Sequence, residues 1–377
     1  MHKLVALGTL ALIAAAGCAQ DRSVTGPLAD RGIAMSASAV SQSSDGPGAV
    51  FTLINAAGGN AVATYARGAD GSLSWMGSAS TGGLGAGAGL GSQGALALSD
   101  DGRWLFAVNA GSNDISAFRV TPRGLELTSR VASGGIRPVS LTVHGDVLYA
   151  LNAGGDGNIS GFRVGNDGAL APLAGSTRSL SGSAVGPAQV SFSPTGAWLV
   201  VTEKTTNRLD IYGVGSDGLV ADLSTAPSAG GTPFGFAFGH GDELFVSEAA
   251  GSASSYIVGD AGLTVASGAV LTHQGAPCWA VVTKNGKFGY TANAQGGSIS
   301  GFAIANDGSI SLIDADGRTA VVGAGNIDLA ISENSRYLYE LNGNRSISGF
   351  RVEADGHLTA VGNVAGLPAS TVGLVAR

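Results

Sequence analysis

The stretch Ile159-Ser160-Gly161-Phe162 recurs along the chain and decides the fold. It is followed by Asp167-Gly168, a dipeptide typical of tight turns between strands. Further copies of the stretch begin at Ile115, Leu209, Ile299 and Ile347, with weaker copies at Val62 and Ala253. The chain therefore contains seven copies of one unit, and internal repeats of this kind indicate a repeat architecture.

Each unit also has an earlier strand that ends in a polar residue. These residues are Asn55, Asn109, Asn152, Glu203, Glu248, Asn293 and Asn342. Their mean spacing of about 48 residues fits four short strands, which is the size of one propeller blade. Such a blade buries both faces of its sheet only when neighbours stack on it. The sequence therefore predicts an all-β fold, a seven-bladed β-propeller of four-stranded blades.

The two ends of the chain predict how the ring closes. Residues 50–55 already form a second strand, so the first unit lacks an innermost strand, whereas residues 368–375 form an innermost strand with nothing after it. We predict that the N- and C-terminal strands pair in one blade, which removes exposed sheet edges.

The connections divide into two faces of the ring. Tight Asp-Gly turns join strands 1 to 2 and 3 to 4 of each blade and define the tight-turn face. The remaining loops, including the Gly-rich insert of residues 81–93, define the variable face. Binding sites prefer irregular loops around a rigid scaffold, so we expect one on the variable face, near the central channel.

The N-terminus predicts export. Lys3 is followed by an apolar run over residues 4–16, which is typical of a signal peptide over residues 1–17. Small residues before Cys18 resemble the bacterial lipoprotein signal, and Ala19 resembles outer-membrane sorting. The alternative is an ordinary cleaved signal peptide with an incidental cysteine.

The predicted mature protein has two parts. Residues 18–48 lack sustained periodicity and form a lipidated flexible tether, and residues 49–377 form the propeller. We therefore expect a membrane-anchored lipoprotein that faces the periplasm or lies in the outer membrane, held by its lipid alone.

Composition limits the partners of the protein. The chain is 44% hydrophobic and 12% charged, with a formal net charge of −7, and an acidic surface disfavours nucleic acid. No Asp-rich loop indicates a calcium site. We predict a monomer without cofactor or metal, whose partner is a small molecule or an envelope protein.

The repeat resembles the lactonase-type seven-bladed propellers, which include bacterial 6-phosphogluconolactonase and the fungal carboxymuconate lactonising enzyme. The resemblance covers residues 50–377 and rests on the motif of residues 191–199, SFSPTGAWL, the related residues 99–105, SDDGRWL, and the I-S-x-F stretches. It implies a site in which a His, Arg residues and a Glu from adjacent blades bind an acidic lactone and move a proton.

Several positions depart from that pattern. Gln189 stands where the family has its His, and Phe234 stands where the family has an anion-binding Arg. A later family Arg aligns with Cys278 or Trp279, whereas Glu248 fits the family's acidic position. We predict that Gln189, Phe234 and Trp279 line a pocket, with ordinary channel packing as the alternative.

Two glutamates interrupt the Asn repeat in consecutive blades. Glu203 and Glu248 are therefore the candidate catalytic residues, because paired acids can exchange protons, although both could also be locally bonded. Lys204 and Arg137 are the candidate anion contacts on the variable face.

Two functions follow from these residues. The first is hydrolysis of a small lactone, with Glu203 or Glu248 activating water and Gln189 and Lys204 positioning the substrate. The second is a non-catalytic propeller that binds an extracellular ligand or a partner protein.

Overall fold

The computed structural model describes residues 46–323 and 325–377, which form thirty strands and no helix. The predicted signal peptide, Cys18 and most of the tether lie outside the described residues. Accordingly, the part of the chain that the structure describes offers no helix that could cross a membrane. The strands form seven separate antiparallel sheets arranged in a ring, which confirms the seven-bladed propeller.

The first four blades contain the following strands in chain order. Blade 1 has β1 (Gly48–Leu53), β2 (Ala61–Arg67) and β3 (Leu73–Ser80). Blade 2 has β4 (Leu96–Leu98), β5 (Trp104–Asn109), β6 (Asp114–Thr121) and β7 (Gly124–Ala132). Blade 3 has β8 (Ile136–His144), β9 (Val147–Gly154), β10 (Asn158–Val164), β11 (Leu170–Pro172) and β12 (Arg178–Ser179). Blade 4 has β13 (Pro187–Phe192), β14 (Trp198–Glu203), β15 (Arg208–Gly213) and β16 (Ser224–Pro227).

The remaining strands complete the ring. Blade 5 has β17 (Pro233–Phe238), β18 (Glu243–Glu248), β19 (Ser252–Gly259) and β20 (Gly262–Leu271). Blade 6 has β21 (Pro277–Val282), β22 (Phe288–Asn293), β23 (Ser298–Ile304), β24 (Ile310–Leu312) and β25 (Ala320–Val321). Blade 7 has β26 (Asn326–Ile331), β27 (Tyr337–Asn342), β28 (Ser346–Val352) and β29 (Leu358–Ala365). The last strand, β30 (Val372–Ala376), returns to blade 1 as its innermost strand.

The pairing of β30 with β1 confirms the predicted closure. The two strands are antiparallel, with Val50 opposite Ala376, and the Thr52 hydroxyl donates to the Gly373 carbonyl at 2.7 Å. The innermost strand begins later than residue 368, because the chain first makes a turn in which the Thr371 N–H donates to the Pro368 carbonyl at 3.2 Å.

Tyrosines of the second strands in blades 3, 6 and 7 fix those blades against the next one. The Tyr149 hydroxyl donates to the Gly218 carbonyl at 3.0 Å, and the Tyr290 hydroxyl donates to the Gly356 carbonyl at 2.7 Å. Both acceptors belong to Asp-Gly turns, and Gly218 has a φ of +78°, which only glycine adopts without cost. The tight-turn face is therefore held by contacts between blades as well as by pairing within them.

The hydrophobic core lies between the blades. Third-strand aromatic residues such as Phe118, Phe162 and Phe302 are almost fully buried there. Successive residues of a strand point to opposite faces of the sheet, so each blade contributes to the interfaces with both neighbours. The predicted I-S-x-F stretches thus owe their repetition to a packing role.

Candidate active site on the variable face

The Gly-rich insert closes the central channel at the variable face. The Gln93 N–H donates to the Ala188 carbonyl of blade 4 at 3.1 Å. The Gln93 side chain donates to the Ala280 carbonyl of blade 6 at 2.7 Å and accepts from the Ala280 N–H at 2.9 Å. The Ser92 hydroxyl donates to the Val139 carbonyl of blade 3 at 2.8 Å. Residues 91–93, which we call the crossing segment, therefore join three blades across the channel.

Three of the predicted site residues meet beside the crossing segment. The indole N–H of Trp279 donates to the Ser92 carbonyl at 3.0 Å, and the rings of Trp279 and Phe234 pack edge to face at 5.3 Å. The Lys204 ammonium lies 4.9 Å from the centre of the Phe234 ring and donates to the Gly91 carbonyl. Lys204, Phe234 and Trp279, together with Arg137, form the Lys204 cluster.

Arg137 completes the Lys204 cluster as its exposed cation. Burial, together with the positive charge of Arg137, lowers the pKa of the Lys204 ammonium to about 8. The N–H of Arg137 donates to the Asn113 side chain at 2.7 Å, which fixes its backbone at a φ of +57°. The cluster therefore offers an amine that exchanges a proton near neutral pH, beside a permanent positive charge.

Gln189 lies at the channel, but its side-chain amide bonds to the backbone of the neighbouring blade. Its NH₂ group donates to the Phe236 carbonyl at 2.9 Å, and its carbonyl accepts from the Phe236 N–H at 2.8 Å. Gln189 thus ties the innermost strand of blade 4 to that of blade 5, and both of its polar ends are engaged without a ligand.

A cavity of about 530 Å³ opens on the tight-turn face, opposite the Lys204 cluster. Gln93 and Gln189 line it together with turn residues such as Asp100 and Ser193. Gln93 of the crossing segment therefore faces this cavity, whereas Gly91 of the same segment accepts a hydrogen bond from Lys204.

Glu203 is completely buried beneath two hydroxyl groups. One carboxylate oxygen accepts from the Ser181 N–H at 3.0 Å, and the other accepts from the hydroxyls of Ser181 and Thr206. Ser181 and Thr206 are themselves exposed. Only the exposed Ser181 and Thr206 therefore separate the hydrogen-bonded Glu203 oxygen from solvent on the variable face.

The acidic neighbour of Glu203 is Asp210, a residue that the sequence reasoning missed. Burial, followed by the neighbouring Glu203 carboxylate with its negative charge, raises the pKa of Asp210 to about 8. Neither Asp210 carboxylate oxygen has a hydrogen-bond partner within 3.5 Å among the described residues. We call Glu203 and Asp210 the acid pair. Its signal in the sequence is the replacement of the usual Ser by Asp in the third-strand stretch Leu209-Asp210-Ile211-Tyr212.

Glu248 is also completely buried, but its surroundings differ. One oxygen accepts from the Ser228 hydroxyl at 3.1 Å, from the Gly230 N–H at 2.8 Å and from the Ser254 hydroxyl. The other oxygen accepts from the Ser252 hydroxyl. Four donors hold this carboxylate within blade 5. Glu203 and Glu248 therefore accept hydrogen bonds from different neighbours and not from each other.

The asparagines of the repeat in blades 2, 3, 6 and 7 link the second and third strands of their blades. The Asn109 amide donates to the Ser116 hydroxyl at 2.8 Å, and the Asn293 amide donates to the Ser300 hydroxyl at 2.8 Å. These contacts give the recurrent Asn a structural role in those blades. Within residues 46–323 and 325–377, no group of three or more His, Cys, Asp or Glu side chains could hold a metal ion.

Comparisons with known proteins agree with the fold. The family model "Lactonase, 7-bladed beta-propeller" matches residues 59–185, about a third of the chain. A proposed 6-phosphogluconolactonase from Bacteroides fragilis is 18% identical, with a TM-score of 0.71 over 90% of this chain and 100% of that one. The periplasmic gluconolactonase of Pseudomonas aeruginosa is 20% identical, with a TM-score of 0.70 over 88% of this chain and 99% of that one. No curated protein matches the sequence. The chain therefore shares the seven-bladed fold of these lactonases, and its residues 59–185 carry the sequence pattern of that family.

Proposed function

We propose that this protein is a hydrolase of the lactonase family that opens a small anionic lactone at the Lys204 cluster. The observation that carries the proposal is the position of the Lys204 amine, which donates to the Gly91 carbonyl and lies 4.9 Å from the centre of the Phe234 ring. Burial and the positive charge of the exposed Arg137 lower its pKa to about 8, which suits a general base. The lactonase match over residues 59–185 and the shared fold support a lactone as the substrate class.

The proposed reaction uses the two basic groups of the cluster. Arg137 binds the carboxylate or phosphate of the substrate, since guanidinium groups match such anions. The neutral Lys204 amine takes a proton from water, and the water oxygen bonds to the lactone carbonyl carbon. The ring C–O bond then breaks, and the ring oxygen takes the proton back from Lys204. The product is the open hydroxy acid, and the only co-reactant is water.

The predicted carboxylates take a supporting role in this proposal. Glu203 and Glu248 are both fully buried and accept three and four hydrogen bonds respectively, so neither contacts an incoming water directly. Glu203 ends the strand from which Lys204 follows, and it anchors the neighbouring loop through Ser181. It therefore positions the loop beside the Lys204 cluster.

A panel of sugar lactones, with and without a phosphate or carboxylate group, tests the proposal. We expect the purified protein to hydrolyse an anionic lactone, and we expect Lys204→Met to lower kcat/KM about 100-fold, the scale of a lost general base. Lys287→Met is the matched control, because Lys287 is an exposed lysine of a tight turn on the other face. Equal turnover by wild type and Lys204→Met would contradict the assigned role.

A second candidate is a propeller that binds an anion without turning it over. It is favoured by the complete use of the Gln189, Glu203 and Glu248 side chains in hydrogen bonds to the protein. In the same panel it predicts saturable binding of an aldonate, weakened by Arg137→Gln, without hydrolysis of any lactone.

We also propose that the activity is located in the bacterial envelope. The apolar run of residues 4–16 and the small residues before Cys18 support export and lipidation. An acylated Cys18 would hold the propeller at a membrane through a tether that reaches about 30 Å as a flexible coil. A substrate of the periplasm or the cell surface would then reach the variable face directly.

A further inference from the structure

Ser181 lies exposed on the variable face, directly above the acid pair. It belongs to the loop between β12 and β13, and its hydroxyl donates to Glu203 while its N–H donates to the same carboxylate at 3.0 Å. Behind Glu203 lies Asp210, which is fully buried. From solvent inward, the order is therefore the Ser181 hydroxyl, the Glu203 carboxylate that accepts from it, and the Asp210 carboxyl group.

Blade 5 contains the same arrangement without two of its features. There the Ser228 hydroxyl donates to Glu248, but Ser228 is only 7% exposed. The third-strand residue behind Glu248 is Ser254, a hydroxyl that donates to the carboxylate, whereas Asp210 occupies that position in blade 4. Exposure of the serine and an acid behind the glutamate therefore distinguish blade 4 from its neighbour.

We propose that Ser181 is a nucleophile that accepts acyl groups from small esters or similar activated acyl compounds, with Glu203 as its base and Asp210 as the buried acid that makes Glu203 more basic. A hydroxyl group that donates to an adjacent base is the general arrangement of an activated nucleophile. The site goes beyond the proposed lactone hydrolysis, which needs no nucleophile from the protein.

The chemical step balances within these groups. The Ser181 oxygen bonds to the carbonyl carbon of the acyl donor, and its proton passes to Glu203. The bond between the carbonyl carbon and the leaving oxygen breaks, and the leaving oxygen takes the proton from Glu203. Water then attacks the ester on Ser181, releases the acid and restores the hydroxyl.

The acid pair sets the expected pH dependence. Burial and the neighbouring Glu203 carboxylate raise the pKa of Asp210 to about 8, so Asp210 holds a proton below that pH. Loss of this proton adds a negative charge beside Glu203 and makes Glu203 a stronger base toward Ser181. Ionisable groups near the acid pair include Arg208, which lies opposite Glu203 in the strand register, and Tyr212, whose pKa burial and the charges of both acids raise. Tyr212 therefore stays neutral, and Arg208 supplies a positive charge beside Glu203. Acylation of Ser181 should therefore become faster as the pH rises through 8.

Labelling with a fluorophosphonate, followed by peptide mass spectrometry, tests the proposal on the purified full chain. The reagent forms a bond between the Ser181 oxygen and phosphorus and releases fluoride, so no lactone turnover is required. We expect an adduct on Ser181, none on Ser228, and a rate that increases with pH through about 8. Ser183→Ala, a change in the same exposed loop, is the control that keeps the labelling rate.

Two variants separate activation from simple exposure. Glu203→Gln should lower the labelling rate of Ser181 at least about tenfold. Asp210→Ser restores the residue found in other blades, so it should fold, and it should remove the increase near pH 8. Absence of an adduct on Ser181, or equal labelling of the wild type and Asp210→Ser at every pH, would overturn the proposal. Either result leaves the lactone assay with Lys204→Met unaffected, so the two proposals fail independently.

Discussion

Deletion of residues 368–377 will unfold the whole propeller at temperatures at which the intact protein is folded. Those residues contain β30, the innermost strand of blade 1. Without it, β1 loses its inner partner strand. The Asp328 carboxylate of blade 7 also loses the hydrogen bond that the Leu374 N–H donates to it at 3.0 Å. The ring then has an open sheet edge at its centre and a gap between its first and last blades.

Circular dichroism during heating measures this effect. We expect a melting temperature at least about 10 °C lower than that of the intact protein, or no cooperative transition at all. A milder pair of variants gives the scale: Leu374→Ala removes a side chain that is 5% exposed and should cost about 2–5 kcal/mol, whereas Leu271→Ala, at 59% exposed, should change little. A truncated protein with the same melting temperature as the intact one would show that β30 does not close the ring.

Replacement of Glu340 by Val will stabilise the protein, most strongly at alkaline pH. Glu340 is completely buried in β27, and neither carboxylate oxygen has a hydrogen-bond partner within 3.5 Å among the described residues. The equivalent residues of blades 3 and 4 are Ala150 and Val201, so Val fits the repeat. Removal of a buried unpaired acid in favour of an apolar side chain should raise the free energy of unfolding by about 1–4 kcal/mol.

The pH dependence of this effect has a defined sign. Burial raises the pKa of Glu340 well above its usual value, so the folded state holds a proton that the unfolded state has released. The wild type should therefore lose stability as the pH rises above about 4.5, by up to about 1.4 kcal/mol per pH unit from this group.

Chemical denaturation at several pH values between 5 and 8 measures this dependence. Glu340→Val should reduce the pH dependence, and Glu333→Gln, at an exposed acid of the adjacent turn, should leave it unchanged. Equal pH dependence in wild type and Glu340→Val would contradict burial of the carboxyl group.

Much of the fold could be predicted because each blade repeats the same local chemistry. The second-strand Asn bonds the third-strand Ser within one blade, as Asn109 does with Ser116, so a sequence pattern of short range encodes the contact. The closure by β30 could also be predicted, since an innermost strand was missing at one end of the repeat and present at the other. The start of β30 at Val372 could not, because it depends on a local turn that is not part of the repeat.

The site was less predictable because its main contact crosses the ring. Gln93 and Ala280 are 187 residues apart, and no pattern of short range indicates that the crossing segment joins blades 3, 4 and 6. Equivalent repeat positions place Phe234 and Trp279 at the entries to the innermost strands of adjacent blades, and their rings pack edge to face at 5.3 Å. That these residues line a pocket stays a prediction. Asp210 was visible in the sequence as a break in the repeat. Its position near Glu203 could not be predicted, because it depends on the register of β14 and β15, in which Asp210 lies opposite Val201, two residues before Glu203.

The pH dependence of kcat/KM for an anionic sugar lactone tests the central claim most directly. The Lys204 amine is the proposed base, so kcat/KM of the wild type should rise with an apparent pKa of about 8 after correction for spontaneous hydrolysis. The profile of Lys204→Met should be flat over the same range, and that of Lys287→Met should follow the wild type. A rise near pH 8 that persists in Lys204→Met, or no turnover of any anionic lactone, would contradict a lactonase site at the Lys204 cluster.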